Sequence, residues 1–155
     1  HPPPQPRRQR QMCIRDSLNL NQKIYKRFYK FNDFQFIAIG TKEIKMQVEN
    51  LVTQLQSGTN TEMTKWFFLL QESKYSKNLF ESLGTDLKLD EFHGSPYVFI
   101  IDKKGFLRGR NDSDGIKFGY DMRSVAELNN YMVDDVKIIL AEYRLALKKN
   151  NIFDN

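Results

Sequence analysis

The chain has 155 residues, enough for one domain with a core of its own. Twelve Phe and seven Tyr within 40% apolar residues exclude a wholly disordered chain, and no apolar run forms a signal peptide or approaches the roughly 18–20 residues of a membrane span. The formal charge of +5 rests largely on the first seventeen residues, which hold four Arg against one Asp; the nearly balanced remainder carries no basic stripe, so no nucleic-acid partner is expected.

Residues 1–17, HPPPQPRRQRQMCIRDS, have no apolar periodicity. They read as a disordered basic arm, or more sharply as translated adaptor sequence, RQMCIRDS being of the kind found at broken gene ends. The native chain is then expected to begin near Ser17 or Leu18, which makes Cys13, the single cysteine, incidental. One cysteine builds neither a disulfide framework nor a thiolate-pair metal site within a chain.

From Asn19 the pattern is helical, with Leu20, Ile24, Phe28 and Phe31 on one stripe. Phe34–Gly40 reads as an inner parallel strand. Glu43–Gln56 reads as a helix with a stripe of Ile44, Val48, Leu51, Val52 and Leu55, closed by a loop over Ser57–Asn60. Lys65–Leu70 is a second strand by its aromatic density. Ser73 is placed to cap a third helix that turns Tyr75, Leu79, Phe80 and Leu83 to the sheet and ends at Gly84. Helices alternating with strands predict a mostly parallel sheet with helices packed on it.

His93–Arg110 is the most informative stretch. His93, Gly94, Ser95 and Pro96 form a loop; Tyr97–Ile101 is an apolar run suited to a strand covered on both faces. Asp102–Gly105 turns the chain, and Phe106–Arg110 returns antiparallel. Asn111–Arg123 is polar and reads as a surface loop. Its Asp112-Ser-Asp-Gly run lacks the spacing and closing Glu of a calcium loop and is a turn. Ser124 and Glu127 have the spacing of a capping box for a long helix to about Lys149.

The ordered series Trp66–Leu70, His93, Ile101-Asp-Lys-Lys-Gly, Tyr120-Asp, Glu127-Leu-Asn-Asn, Asp134-Asp-Val-Lys and Ala141-Glu-Tyr-Arg-Leu-Ala-Leu-Lys-Lys resembles the Sco (SenC-type) copper chaperones, in particular those of Bacteroidetes-type bacteria. The resemblance covers residues 18–150, leaving 151–155 as a tail. It implies a partial thioredoxin-like α/β fold, a mostly parallel sheet with a C-terminal β-hairpin and long C-terminal helix, lacking the strand that carries the family's cysteines. In that family a Cys-x-x-x-Cys-Pro pair and a downstream His hold copper for delivery to cytochrome c oxidase. The task is metal transfer more than turnover, in the periplasm and anchored to the inner membrane. Soft thiolates suit Cu(I), and an imidazole helps the site accept Cu(II).

His93 matches the family's histidine by its place before the strand; by itself a lone His in a polar loop is an ordinary surface residue. The thiol pair has no match: Gln9 stands at the first Cys position and Ile14 at the Pro. The chain as given is therefore expected to bind copper weakly and to be inactive. Pro96 falls where thioredoxin-like folds place a cis-proline. The resemblance also implies that a strand shared by Phe34–Gly40 and Tyr97–Asp102 is missing. Each buried unpaired backbone group costs about 1–3 kcal/mol against the ~5–15 kcal/mol available to a domain, so poor stability is expected. A thiol-disulfide oxidoreductase or peroxiredoxin relative and a non-redox thioredoxin-like binding module are the alternatives.

Overall fold

The computed structural model describes residues 14–153; the arm up to Cys13 and the last two residues of the tail lie outside the described residues. Helix α1 (14–28) already includes residues 14–17, ahead of the predicted start. Its middle turn, Asn21–Tyr25, is a π turn. The extra residue in that turn carries Asn21 and Tyr25 onto the inner face beside Leu20, Ile24 and Phe28, where Asn21, Ile24 and Tyr25 have no exposed surface. Phe31, predicted to continue the stripe, lies past the helix end and is exposed.

The buried Asn21 explains a boundary that composition misplaced. Its Nδ2 donates to Thr59 Oγ1 at 2.8 Å, and that hydroxyl donates to the Leu55 carbonyl at 2.7 Å. Helix α2 (Lys45–Thr59) therefore runs through Ser57 and Gly58, predicted as loop, and stops at Asn60 in the left-handed region, φ 48°. Of its predicted stripe only Leu55 is fully buried, and Ile44 sits in the 3-10 turn ahead of the helix.

Strands β1 (Phe36–Thr41) and β2 (Trp66–Gln71) pair in parallel, Phe36 opposite Trp66 and Gly40 opposite Leu70. The Tyr25 hydroxyl sets the entry to β2, donating to the Glu62 carbonyl at 2.8 Å and accepting from the Lys65 N–H at 3.1 Å. Its ring packs 5.5 Å from Phe36 and 5.4 Å from Trp66. Phe36, Trp66, Ala38 and Phe68 thus face the core, which α1, α2 and the C-terminal helix complete. The opposite face, Ile37, Ile39, Phe67 and Leu69, is exposed, although Phe34–Gly40 was expected to be an inner strand of the sheet.

Helix α3 (Ser73–Ser82) corrects two expectations. Glu72 occupies the cap and makes no side-chain cap bond, so Ser73 is the first helical residue. Tyr75 and Leu79 are turned outward; the buried position is Ser76, whose hydroxyl donates to the Gly40 carbonyl at 3.3 Å and brings the helix against the end of β1. Gly84 terminates the segment at φ 68°, as its type and place predict.

The apolar run of the hairpin is a strand interrupted at Phe99, giving β3 (Tyr97–Val98) and β4 (Ile100–Ile101). It is half-buried, with Ile101 exposed, not covered on both faces. The turn is as predicted: Asp102 Oδ1 accepts from the N–H groups of Lys104 and Phe106, Gly105 has φ 84°, and β5 (Leu107–Arg108) pairs antiparallel with β4. The region read as loop is instead a second hairpin, β6 (Arg110–Asp112) with β7 (Gly115–Lys117), turning at Ser113-Asp114 with Gly115 at φ 121°. Strand β8 (Tyr120–Asp121) then returns to pair with β3.

Ser124 caps the last helix, its hydroxyl accepting from the Glu127 N–H at 3.1 Å. Helix α4 spans 125–153, with a π turn at Leu128–Met132, and continues past Lys149. The architecture is a mixed helix–strand fold with one parallel strand pair and a long C-terminal helix. Its strands fall into four two-stranded pieces rather than one sheet: among the described residues β1 bonds to β2 alone, and no strand joins it to β3 or β4.

Candidate functional site at the His93 loop

The loop before β3 is built on Asp90. Its Oδ1 accepts from the N–H groups of Phe92 (2.9 Å) and Gly94 (2.8 Å), while its backbone N–H donates to the Gly94 carbonyl and its carbonyl accepts from His93 N–H. A carboxylate that gathers two N–H groups fixes the turn. His93 sits at its apex, exposed, with φ 62°. A non-glycine residue pays a steric penalty there, and His tolerates it better than bulkier or β-branched types. Ser95 Oγ then accepts from Tyr97 N–H, and the Pro96 carbonyl accepts from Met122 N–H, which ties the loop to β8. The bond to Pro96 is trans, correcting the cis expectation.

The imidazole's field reaches Glu43, in the 3-10 turn that follows β1. That carboxyl is held below its ordinary range chiefly by its own backbone N–H, then by the Thr41 hydroxyl, with Lys42 and His93 adding smaller attractions. One imidazole is an incomplete copper donor set, and among the described residues no group of three or more His, Cys, Asp or Glu side chains could hold a metal ion. Cys13 lies outside the described residues. No described helix is long and apolar enough to cross a membrane.

A second polar constellation went unread in the sequence. Tyr120 is buried, and its hydroxyl donates to Asp135 Oδ2 at 2.5 Å. Burial first, and then the bond to Asp135, push the phenol far above its ordinary range. Arg110 lies 3.9 Å from the centre of the Tyr131 ring and 3.9 Å from Glu127. Arg110 Nη1 and Glu127 Oε1 are buried without a hydrogen-bond partner. A cleft of about 460 Å³ opens beside them, bounded by Arg110, Asn111, Tyr131, Asp134 and Asp135. The sequence signal was available: Glu127, Tyr131 and Asp135 recur every four residues on one face of α4.

No family model matches the chain, nor does any curated protein or solved structure.

Proposed function

We propose that the chain is part of a Sco-type, thioredoxin-like copper chaperone, with His93 as one copper ligand and a thiol pair supplied by sequence upstream of residue 18. The observation that carries this reading is the His93 loop itself. Its imidazole is exposed on a strained, hydrogen-bonded turn immediately ahead of β3. Backbone strain held by a dedicated carboxylate fits a residue positioned for a task. The resemblance of the ordered motifs from Trp66 to Lys149 supports the family, and with it a role in delivering copper to cytochrome c oxidase or its assembly factors at the periplasmic face of the inner membrane.

Copper is here the cargo, and the described residues provide one of its donors. Sequencing the gene upstream of the Leu18 codon tests the assignment. Two cysteines spaced by three residues with a following Pro support the chaperone. A Cys-x-x-Cys pair or a lone Cys assigns thiol-disulfide or peroxidase chemistry instead, and a stretch without Cys leaves a non-redox binding module.

A further inference from the structure

Away from the His93 loop, the end of α1 and the middle of α4 enclose an apolar groove of about 220 Å³, lined by Phe28, Phe31, Lys137, Leu140, Ala141 and Arg144. Its floor is hydrocarbon: Phe28 and Leu140 are almost wholly buried, and the Phe28 and Phe31 rings lie 6.2 Å apart. The short side chain of Ala141 leaves the pit open between Lys137 and Arg144. The space exceeds the roughly 150 Å³ of a dry protein cavity known to take benzene, so it admits one aromatic or branched side chain.

The rim is cationic. Lys137 and Arg144 stand seven residues apart on α4, which is about 10 Å along the helix. Lys137 shares its charge with Asp134 at 3.4 Å, whereas Arg144 is exposed and has no carboxylate partner among the described residues. Lys26, Arg27 and Lys30, also exposed, add positive charge at the end of α1. The nearest acid on that turn, Asp33, is engaged by Lys103.

We propose that this groove docks an acidic protein segment, with one aromatic or branched side chain of the partner in the pit and flanking carboxylates on Arg144 and Lys137. On an extended chain alternate residues share a face, so two carboxylates four residues apart flank a central side chain on one side and stand about 13 Å apart, within reach of these two long cationic side chains. Single-stranded nucleic acid fits less well, because Phe28 is 3% exposed and Phe31 is the one exposed ring of the groove, whereas strand binding stacks successive bases on several aromatic faces.

The test is an NMR titration of the ¹⁵N-labelled chain with a short peptide carrying Asp-Ser-Phe-Ser-Asp. The expected result is saturable shifts at the amides of Phe31 and Ala141, with binding about tenfold weaker for Arg144→Glu and for a probe with Ala in place of Phe. Ala141→Leu, which fills the pit while leaving the charges, is expected to abolish the shifts. Both substituted positions are exposed, and an unchanged spectrum elsewhere verifies the fold. Absence of saturation at millimolar peptide overturns the proposal, as does binding indifferent to Arg144→Glu, to the lost Phe or to Ala141→Leu. Preferential binding of phosphatidylglycerol vesicles or of a single-stranded oligonucleotide at these amides overturns it too.

Discussion

The Tyr120 hydroxyl donates to the Asp135 carboxylate at 2.5 Å across fifteen residues, joining the last short strand to the long helix. A hydrogen bond to a charged group contributes about 1.5–3 kcal/mol, and Asp135 also lines the open cleft, where water can replace the phenol. Tyr120→Phe is therefore expected to cost near the lower bound, about 1.5 kcal/mol, in urea unfolding. The phenol's folded pKa is raised above the ordinary value of about 10, so this contribution is fully present below pH 10. Above it, the folded chain binds more protons than the unfolded one, and stability falls as pH rises. The wild-type alkaline decline is expected to be shallower in the variant.

Tyr25 has a different burden. Its hydroxyl satisfies both the Glu62 carbonyl and the Lys65 N–H, where the chain enters β2. Tyr25→Phe preserves the aromatic packing and strands two backbone groups, so about 1–3 kcal/mol is expected to be lost. Faster hydrogen exchange at Lys65 than at β1 amides would place the loss at that entry.

The whole chain is expected to melt below the roughly 45–65 °C range of mesophilic domains, or to associate on heating. The cause is visible in β1 and β2: the pair bonds to no other strand among the described residues, and it exposes Ile37, Ile39, Phe67 and Leu69 on one face. Parallel strands are normally covered on both faces. A sharp two-state calorimetric transition above that range contradicts this account.

Much of this was legible in the sequence because it depends on local rules. Asp102 and Gly105 fixed the hairpin turn, Ser124 the start of α4, and the period of Leu20, Ile24 and Phe28 the buried side of α1. What was missed depends on partners far along the chain. Ser57–Gly58 has loop composition, but Asn21 holds the end of α2 through Thr59. Ser73 has cap chemistry, yet Ser76 determines which side of α3 meets β1. Asn111–Lys117 is polar enough for a loop, and hydrogen bonding across Ser113-Asp114 makes it a hairpin. At the candidate site the place of His93 in a loop ahead of a strand was readable, whereas its left-handed backbone and the Asp90 carboxylate that holds the turn required the folded chain.

The left-handed backbone of His93 yields a prediction that separates task from stability. A side chain in that region costs about 1–2 kcal/mol, part of which glycine returns through its more flexible unfolded state. His93→Gly is expected to raise stability by about 0.5–1 kcal/mol in urea titrations. A destabilised variant means that the imidazole is a structural element of the loop.

The central claim is met most directly by titrating Cu(I) and Cu(II) into the chain extended by whatever sequence its gene encodes upstream of residue 18, side by side with the same protein carrying His93→Gly. One-to-one binding that weakens on the substitution, while the fold is kept or stabilised, is the result predicted here. Binding equally tight without His93, or no stoichiometric binding at all, contradicts the assignment of this loop to copper.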